Sequence, residues 1–326
     1  MSLRETRMEP TQATEVIRAA GGLGVHSLDH FALSVPDLRR AQHFYTGFGL
    51  DVREERWGLA VHTHGHAHRW AVVFEGRAKQ LRYLSFGVFE RDLERLKQHV
   101  EACGVAFLEP PREFTGEGLW LRDPDGLWVE LRIAEKSSPD TKSVPEFHSS
   151  PPGQAGAPKR SQAPTVRPTR LSHCLMFTRS VPEIVSFYER VLGLRLSDHA
   201  GDDIAFLHGI HGSDHHLVAF ARAEGPGLHH CSWDVGSLND LGLGAEQMAR
   251  QGYSAGWGLG RHVLGSNYFH YVRDPWGSHC EYSCDMDYIP AGIRWEARDH
   301  EAEDAFYVWG PKPPADWTHN YELDPS

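Results

Sequence analysis

The chain has 326 residues and a formal net charge of −11, and its residues are 40% hydrophobic and 24% charged. This length and composition predict a globular protein of about two domains. The acidic balance argues against a nucleic-acid-binding surface, and no apolar run approaches the ~20 residues that cross a membrane. The first residues lack the apolar centre of a signal peptide, so we expect a cytoplasmic protein.

The cysteines and histidines restrict the chemistry further. Five cysteines occur without any CxxC pair, which argues against a disulfide framework and against a structural zinc site. We expect them to be small buried side chains. The chain also contains 22 histidines. Because histidine is a common metal ligand and proton carrier, their positions matter more than their number.

The first half begins with a loose N-terminal arm, which we assign to residues 1–24. Residues 28–52 predict a strand, a helix with an aromatic pair and a glycine turn. Residues 81–105 predict a strand and an amphipathic helix, because apolar residues recur at helical spacing. Residues 119–132 predict a hairpin with an Asp-Pro-x-Gly turn. We assign residues 25–134 to this first unit.

The second half repeats the first. A segment rich in proline and serine, residues 135–168, predicts a long surface linker. After it the same three patterns return in the same order, over residues 171–196, 228–253 and 269–283. We interpret the chain as an internal repeat whose second unit covers residues 169–290. Residues 291–326 are too aromatic for a free tail, and we expect them to pack on the second unit.

Alignment of the two copies brings out three positions that carry chemistry. They are His30, Tyr83 and Glu130 in the first copy, and His173, His230 and Glu281 in the second. Each interval between neighbouring positions is four residues longer in the second copy. Two histidines and one carboxylate are the ligand set of non-haem Fe(II) oxygenases, which leaves coordination positions open. The second copy therefore predicts a metal site, and the first copy has lost its middle histidine.

The pair His229 and His230 lies in a predicted strand, where adjacent side chains point to opposite faces. His230 corresponds to Tyr83 of the first copy, so we expect His230 to be the ligand and His229 to lie on the far face. His279 shares a strand face with Glu281 and is a possible partner of that carboxylate. The residues give no further support for including His279 in the site.

Four stretches of the second half carry a family resemblance: SHCLMF, HHLVAF, LHHCSWDV and RHVLGSNYFHYVRDPWGSHCEY. They resemble the catalytic domain of type I extradiol ring-cleavage dioxygenases, such as catechol 2,3-dioxygenase and dihydroxybiphenyl dioxygenase. These enzymes belong to the vicinal oxygen chelate superfamily, with its glyoxalase–dioxygenase-like fold. The last stretch is the most specific, because it places His262, Tyr271 and Glu281 around the Asp-Pro-x-Gly turn. The resemblance covers roughly residues 25–310.

The resemblance implies an α+β fold of tandem βαβββ modules that form open mixed-sheet barrels, with a non-catalytic first half. It implies a small aromatic diol and O2 as substrates, Fe(II) or else Mn(II) as the metal, and assembly into a homo-oligomer. His216 aligns with the family's acid–base histidine, while His262 and Tyr271 would bind the substrate oxygens. Leu264 would belong to the apolar wall of the substrate pocket.

Two neighbouring histidines are expected to lie outside the pocket. His215 precedes His216, and His270 precedes Tyr271, so strand alternation turns both away.

Two other functions remain possible for this superfamily. One is a metal-dependent lyase or isomerase of the glyoxalase or epimerase type, which usually gathers four ligands from two modules. The other is a metal-free small-molecule binding protein. Neither needs the three histidine and tyrosine positions that the resemblance assigns to ring cleavage.

Overall fold

A computed structural model describes residues 22–114, 116–147 and 149–324. Most of the predicted N-terminal arm, residues 1–21, lies outside the described residues. Within the described ranges, no helix is both long enough and apolar enough to cross a membrane.

The first half folds around one seven-stranded mixed sheet. The strands lie in the order β2-β3-β4-β1-β5-β7-β6, and β1 is parallel to β4 as β5 is to β7. Its elements are β1 (Ser27–Val35), α1 (Leu38–Gly47), β2 (Asp51–Glu55), β3 (Gly58–His62), β4 (Arg69–Glu75), β5 (Gln80–Val88), α2 (Leu93–Ala102), β6 (Leu119–Arg122) and β7 (Trp128–Ile133).

The second half folds around a nine-stranded sheet in the order β18-β14-β15-β16-β13-β8-β12-β10-β9, and β11 pairs with β17 in a small separate sheet. Its elements are β8 (Arg170–Thr178), α3 (Val181–Leu192), β9 (Arg195–Ala200), β10 (Ile204–His208), β11 (Ser213–Asp214), β12 (Val218–Arg222), β13 (Gly227–Asp234), α4 (Leu238–Arg250), β14 (Gly256–His262), β15 (Tyr268–Arg273), β16 (His279–Cys284), β17 (Tyr288–Ile289), α5 (Ala302–Ala305) and β18 (Tyr307–Trp309).

The two sheets correspond strand by strand. Reading the second sheet from β15 to β9 reproduces the order of the first sheet from β6 to β2. The second sheet additionally contains β14, which completes a second βαβββ module, and β18 from the C-terminal segment. The prediction of an α+β fold built from tandem modules in open mixed sheets is confirmed.

Local signals explain how the helices begin and end. Asp37 caps α1 by accepting a hydrogen bond from the amide of Arg40. α3 follows Ser180, has a proline in its first turn and is capped at its C-terminal end by Gly193, whose φ of +75° suits glycine. The buried side of α3, which includes Tyr188, packs in the main hydrophobic core.

The turn before β16 places the predicted carboxylate ligand. Gly277 adopts a φ of +99°, and the side chain of Asp274 accepts a hydrogen bond from the amide of Trp276. This turn fixes the register of β15 against β16, in which Tyr271 lies opposite Glu281. The two side chains therefore share one face of the sheet.

Both halves contribute to one hydrophobic core. The rings of Phe48 and Tyr282 stack with their centroids 3.8 Å apart, and the Tyr282 hydroxyl donates to the Phe48 carbonyl. A buried ion pair joins Lys79 of the first half to Glu322 near the C-terminus.

The C-terminal segment, residues 291–324, lies against the second sheet. β18 pairs with β14, and the Arg273 guanidinium binds the Asp316 carboxylate through two 2.7 Å hydrogen bonds. Trp317 is buried by this packing. The segment thereby covers the side of the sheet that carries the predicted site.

Candidate metal centre and substrate pocket

Three neighbouring strands bring the predicted ligands together. β8 carries His173, β13 carries His230 and β16 carries Glu281, and these residues are 2%, 3% and 0% exposed. The His173 Nε2 atom lies 3.2 Å from His230 Nε2 and 3.3 Å from Glu281 Oε2, and the third separation is 3.7 Å. This is the one group of three or more potential metal ligands found among the described residues.

The arrangement fits a divalent metal ion. Two atoms that each lie about 2.1 Å from one ion are roughly 3.0–3.6 Å apart at the usual ligand angles. Glu281 Oε1 accepts a hydrogen bond from the Asn267 amide, whereas Glu281 Oε2, which faces the two histidines, has no hydrogen-bond partner within the described ranges. A buried carboxylate oxygen without a partner is costly unless a cation binds it. The donor set and the unpartnered oxygen both indicate a metal site.

His173 is held by a chain of polar contacts that leads out of the pocket. Its Nδ1 atom lies 3.3 Å from the Ser172 hydroxyl, which donates to the Asp214 carboxylate. Arg170 binds both oxygens of Asp214. Because the Ser172 proton points to Asp214, its oxygen accepts from His173 Nδ1, and His173 Nε2 keeps its lone pair toward the other ligands.

The structure contradicts the far-face position expected for His229. The pairing of β13 with β8 shifts by one residue between Leu228 and His230, so strand alternation fails there. His229 lies beside His230, with their Nδ1 atoms 2.7 Å apart, and it lines the pocket. Burial lowers the pKa of His229 to about 4.

His216 faces the same cavity and packs against His173, one of the three candidate metal ligands. Its ring centroid lies 4.1 Å from that of His173, and both residues line the pocket. Burial is the main cause that lowers the pKa of His216 well below its ordinary value, and neighbouring histidines act in the same direction.

His215 lies outside the pocket lining, as expected, but not for the reason of strand alternation. His215 and His216 lie in a bend between β11 and β12 and not inside a strand, so alternation does not apply. Their Nδ1 atoms are 3.1 Å apart, and His215 Nε2 lies 2.9 Å from the Asp198 carboxylate. His215 does not line the pocket, but it contacts the residue that does.

His262 and Tyr271 form one pair at the pocket wall. The Tyr271 hydroxyl lies 2.9 Å from His262 Nε2, and His262 Nδ1 lies 2.9 Å from the Phe306 carbonyl. Burial lowers the pKa of His262 and raises the pKa of Tyr271 well above its ordinary value. The imidazole is therefore neutral and the phenol protonated near pH 7. His270, which precedes Tyr271 on β15, does not line the pocket.

The cavity next to the candidate metal ligands is about 460 Å³ in volume and mostly apolar. Leu264 lines it, as do Phe177, Phe206 and, from the C-terminal segment, Phe306 and Trp317. The cavity is large enough for a small aromatic ring with a substituent.

One polar contribution could not be predicted from the sequence. Asn267, which orients Glu281, follows Ser266 in a tight turn where Ser266 has a φ of +61°. A single asparagine in a turn gives no signal of this contact.

His279 lies outside the pocket lining, and neither ring nitrogen has a hydrogen-bond partner among the described residues.

The corresponding positions of the first half are occupied by internal hydrogen bonds. His30 Nδ1 lies 2.7 Å from an Asp29 carboxylate oxygen, and His30 Nε2 lies 3.2 Å from the Tyr83 hydroxyl. Glu130 accepts from the Ser85 hydroxyl at 2.6 Å. His30 thus contacts Tyr83 while Glu130 contacts Ser85, and among the described residues these side chains do not form a group of potential metal ligands.

Aromatic rings fill the space that forms a pocket in the second half. The rings of Phe114 and Trp120 lie 4.7 Å and 5.0 Å from that of Tyr83. All three are buried in one cluster. The first half therefore differs from the second in packing as well as in its missing histidine.

The chain combines tandem βαβββ modules with a buried His-His-Glu group that is a candidate metal site. A model of the Glyoxalase/Bleomycin resistance protein/Dioxygenase superfamily matches residues 27–131 and 170–282, and the chain belongs to this superfamily. It is 48% identical over 316 residues to metapyrocatechase 2 of Cupriavidus necator, across 97% of this chain and 98% of that protein. The resemblance to extradiol dioxygenases is confirmed.

Solved structures share the fold. The Mn(II)-bound glyoxalase from Novosphingobium aromaticivorans aligns with a TM-score of 0.70 at 23% identity, over 89% of this chain and 93% of that one. A variant of homoprotocatechuate 2,3-dioxygenase from Brevibacterium fuscum aligns with a TM-score of 0.72 at 18% identity, over 93% and 84%. At these identities the likeness establishes the fold alone.

Proposed function

We propose that the protein is an extradiol ring-cleavage dioxygenase that inserts both atoms of O2 into a catechol beside its vicinal hydroxyls. The product is a 2-hydroxymuconic-semialdehyde-type compound. The observation that carries this proposal is near-full-length similarity to metapyrocatechase 2 in a chain that has the buried His-His-Glu group. The likeness to a glyoxalase structure concerns the fold and does not favour a lyase.

We assign His173, His230 and Glu281 as the metal ligands and Fe(II) as the ion. Mn(II) is the alternative, because nitrogen and carboxylate donors of this kind bind both ions. When bound, a divalent ion of this type supplies a template for catechol and O2 and a route for electron density between them.

His216 is the proposed acid–base residue. Burial acts to raise the pKa of Asp198, but hydrogen bonds from His215 and His300 outweigh it and the pKa is lowered. The Asp198 carboxylate therefore accepts the proton of His215 Nε2. His215 Nδ1 then carries a lone pair and accepts from His216 Nδ1. His216 Nε2 is left unprotonated, and it serves as the base that takes a catechol proton and later returns one.

Tyr271 and His262 hold the substrate oxygens in register. The Phe306 carbonyl has no proton, so His262 donates from Nδ1 and accepts from the Tyr271 hydroxyl at Nε2. The phenol oxygen then faces the cavity as an acceptor for a catechol hydroxyl. The apolar wall that includes Leu264 excludes water from the ring.

The test is oxygen consumption by the purified chain after anaerobic loading with Fe(II). With catechol, we expect O2 uptake equal to the catechol consumed, a yellow semialdehyde, and both atoms of 18O2 in the product. A lyase, an isomerase or a binding protein would consume no O2. The His230→Ala variant is the matched control, because it removes one proposed ligand.

We also propose that the chain assembles into a homo-oligomer, as the family resemblance implies. Light scattering coupled to gel filtration tests this directly. A mass equal to the 36.7 kDa of one chain would contradict it.

A further inference from the structure

The contact between His229 and His230 joins the metal centre to the C-terminal segment. His229 Nδ1 lies 2.7 Å from His230 Nδ1, and His229 Nε2 lies 2.8 Å from the Trp317 carbonyl. The ring of His229 also packs edge-on against the Trp317 indole, with centroids 4.7 Å apart. His229 is only 5% exposed, so both hydrogen bonds are largely shielded from water.

The direction of both hydrogen bonds follows from the carbonyl. A backbone carbonyl can only accept, so His229 must donate from Nε2. The neutral imidazole of His229 then has a lone pair at Nδ1, where it accepts a proton from His230 Nδ1. That proton leaves the His230 Nε2 lone pair directed toward His173 and Glu281.

We infer that His229 is a positioning residue that holds His230 in the tautomer able to bind the metal ion. We infer further that the Trp317 carbonyl fixes the direction of this pair of hydrogen bonds. The inference rests on the proposed metal centre, since it concerns the lone pair that His230 would offer to the ion.

The Trp317 carbonyl can fix the direction of these hydrogen bonds because the residues around it are held by further contacts. Asp316 is bound by Arg273 through two 2.7 Å hydrogen bonds, and the Trp317 indole packs against the rings of Trp257 and Tyr271. A segment almost 90 residues beyond the ligand along the chain thus takes part in orienting it.

His229 could position His230 or merely anchor the C-terminal segment. Two variants separate these roles, and a third removes both contacts. His229→Asn places an amide oxygen near the position of Nδ1, so it keeps the acceptor for His230 but loses the bond to Trp317. His229→Gln places an amide nitrogen near the position of Nε2, so it keeps the donor to Trp317 but loses the acceptor. His229→Phe keeps the ring packing and loses both.

The first measurement is Mn(II) affinity, titrated by electron paramagnetic resonance without substrate. We expect His229→Gln and His229→Phe to bind about 10–100-fold more weakly than the parent chain, the usual cost of removing a hydrogen-bond partner of a ligating histidine. His229→Asn should retain most of the affinity. Greater retention by His229→Gln than by His229→Asn, or equal loss in all three, would overturn the inference.

The second measurement needs no metal and separates this inference from the proposed function. In the metal-free chain labelled with 15N-histidine, nitrogen chemical shifts report which ring nitrogen of His230 carries the proton. We expect Nδ1–H in the parent chain and in His229→Asn, and an Nε2–H population in His229→Phe. Far-ultraviolet circular dichroism confirms folding. If the parent chain held Nε2–H at His230, the inference would fail even for an active dioxygenase.

Discussion

Replacement of His216 by asparagine separates proton transfer from metal binding. The His216 ring packs against His173 but supplies none of the three converging ligand atoms, so the ion should remain bound in His216→Asn. Asparagine cannot carry a proton near pH 7. Loss of a positioned base costs about 10²–10⁴ in turnover, which corresponds to about 2.7–5.4 kcal/mol in the activation free energy. Substrate affinity should change less, because the loss falls on the proton-transfer steps.

The assay combines metal content with steady-state kinetics on the same preparation. Iron is measured after anaerobic loading, and turnover is followed by O2 uptake. His270→Asn is the matched control, since His270 lies on a strand of the same sheet but outside the pocket lining. Normal turnover by His216→Asn with iron bound would refute the acid–base role. Loss of iron would instead make His216 a ligand.

The remaining predictions concern the ligand set, the first half and the substrate. His230→Ala should lose the single metal equivalent per chain, measured by elemental analysis, and all turnover. Glu130→Gln should keep metal and turnover, because Glu130 accepts from Ser85 and does not line the pocket of the second half; an inactive but folded, metal-loaded variant would contradict a single site. Carboxylated catechols should have kcat/KM at least about tenfold below that of catechol. The reason is that Arg222, the cation in the cavity lining, is already paired with Asp203, and equal rates would contradict it.

The repeat made the metal group predictable from sequence. The alignment of two copies singled out three positions, and strand order then required them to meet, because β8, β13 and β16 are neighbours in one sheet. The Asp-Pro-x-Gly turn fixed the place of Glu281 opposite Tyr271. These features depend on local signals repeated at similar intervals, which a sequence displays directly.

The partners of the site residues were not predictable in the same way. Strand alternation gave the wrong side for His229, because a one-residue shift in pairing is invisible in the sequence. For His215 alternation was the wrong reason for a correct expectation, because His215 lies in a bend and is still outside the pocket lining. The carbonyls of Phe306 and Trp317 come from distant positions, and a backbone carbonyl carries no sequence signal at all.

Five histidines line the pocket, and four of them, all except His229, share one arrangement that explains what the site can bind. Each ring points its Nδ1 atom outward to a fixed partner and its Nε2 atom inward. The outward partners are the Ser172 hydroxyl for His173, the His229 ring for His230, the His215 ring for His216 and the Phe306 carbonyl for His262. Where those partners accept, every inward nitrogen carries a lone pair: that of His262 accepts from the Tyr271 hydroxyl, and those of the other three remain available. Glu281 Oε2 is a further carboxylate oxygen with no hydrogen-bond partner among the described residues. A pocket lined by lone pairs repels anions and offers no proton to a ligand that can only accept hydrogen bonds. A divalent cation and a ligand with two hydroxyl donors can together bind these lone pairs. Catechol is a small aromatic molecule with two adjacent hydroxyl donors. The histidine tautomers therefore favour the same substrate as the His-His-Glu group does.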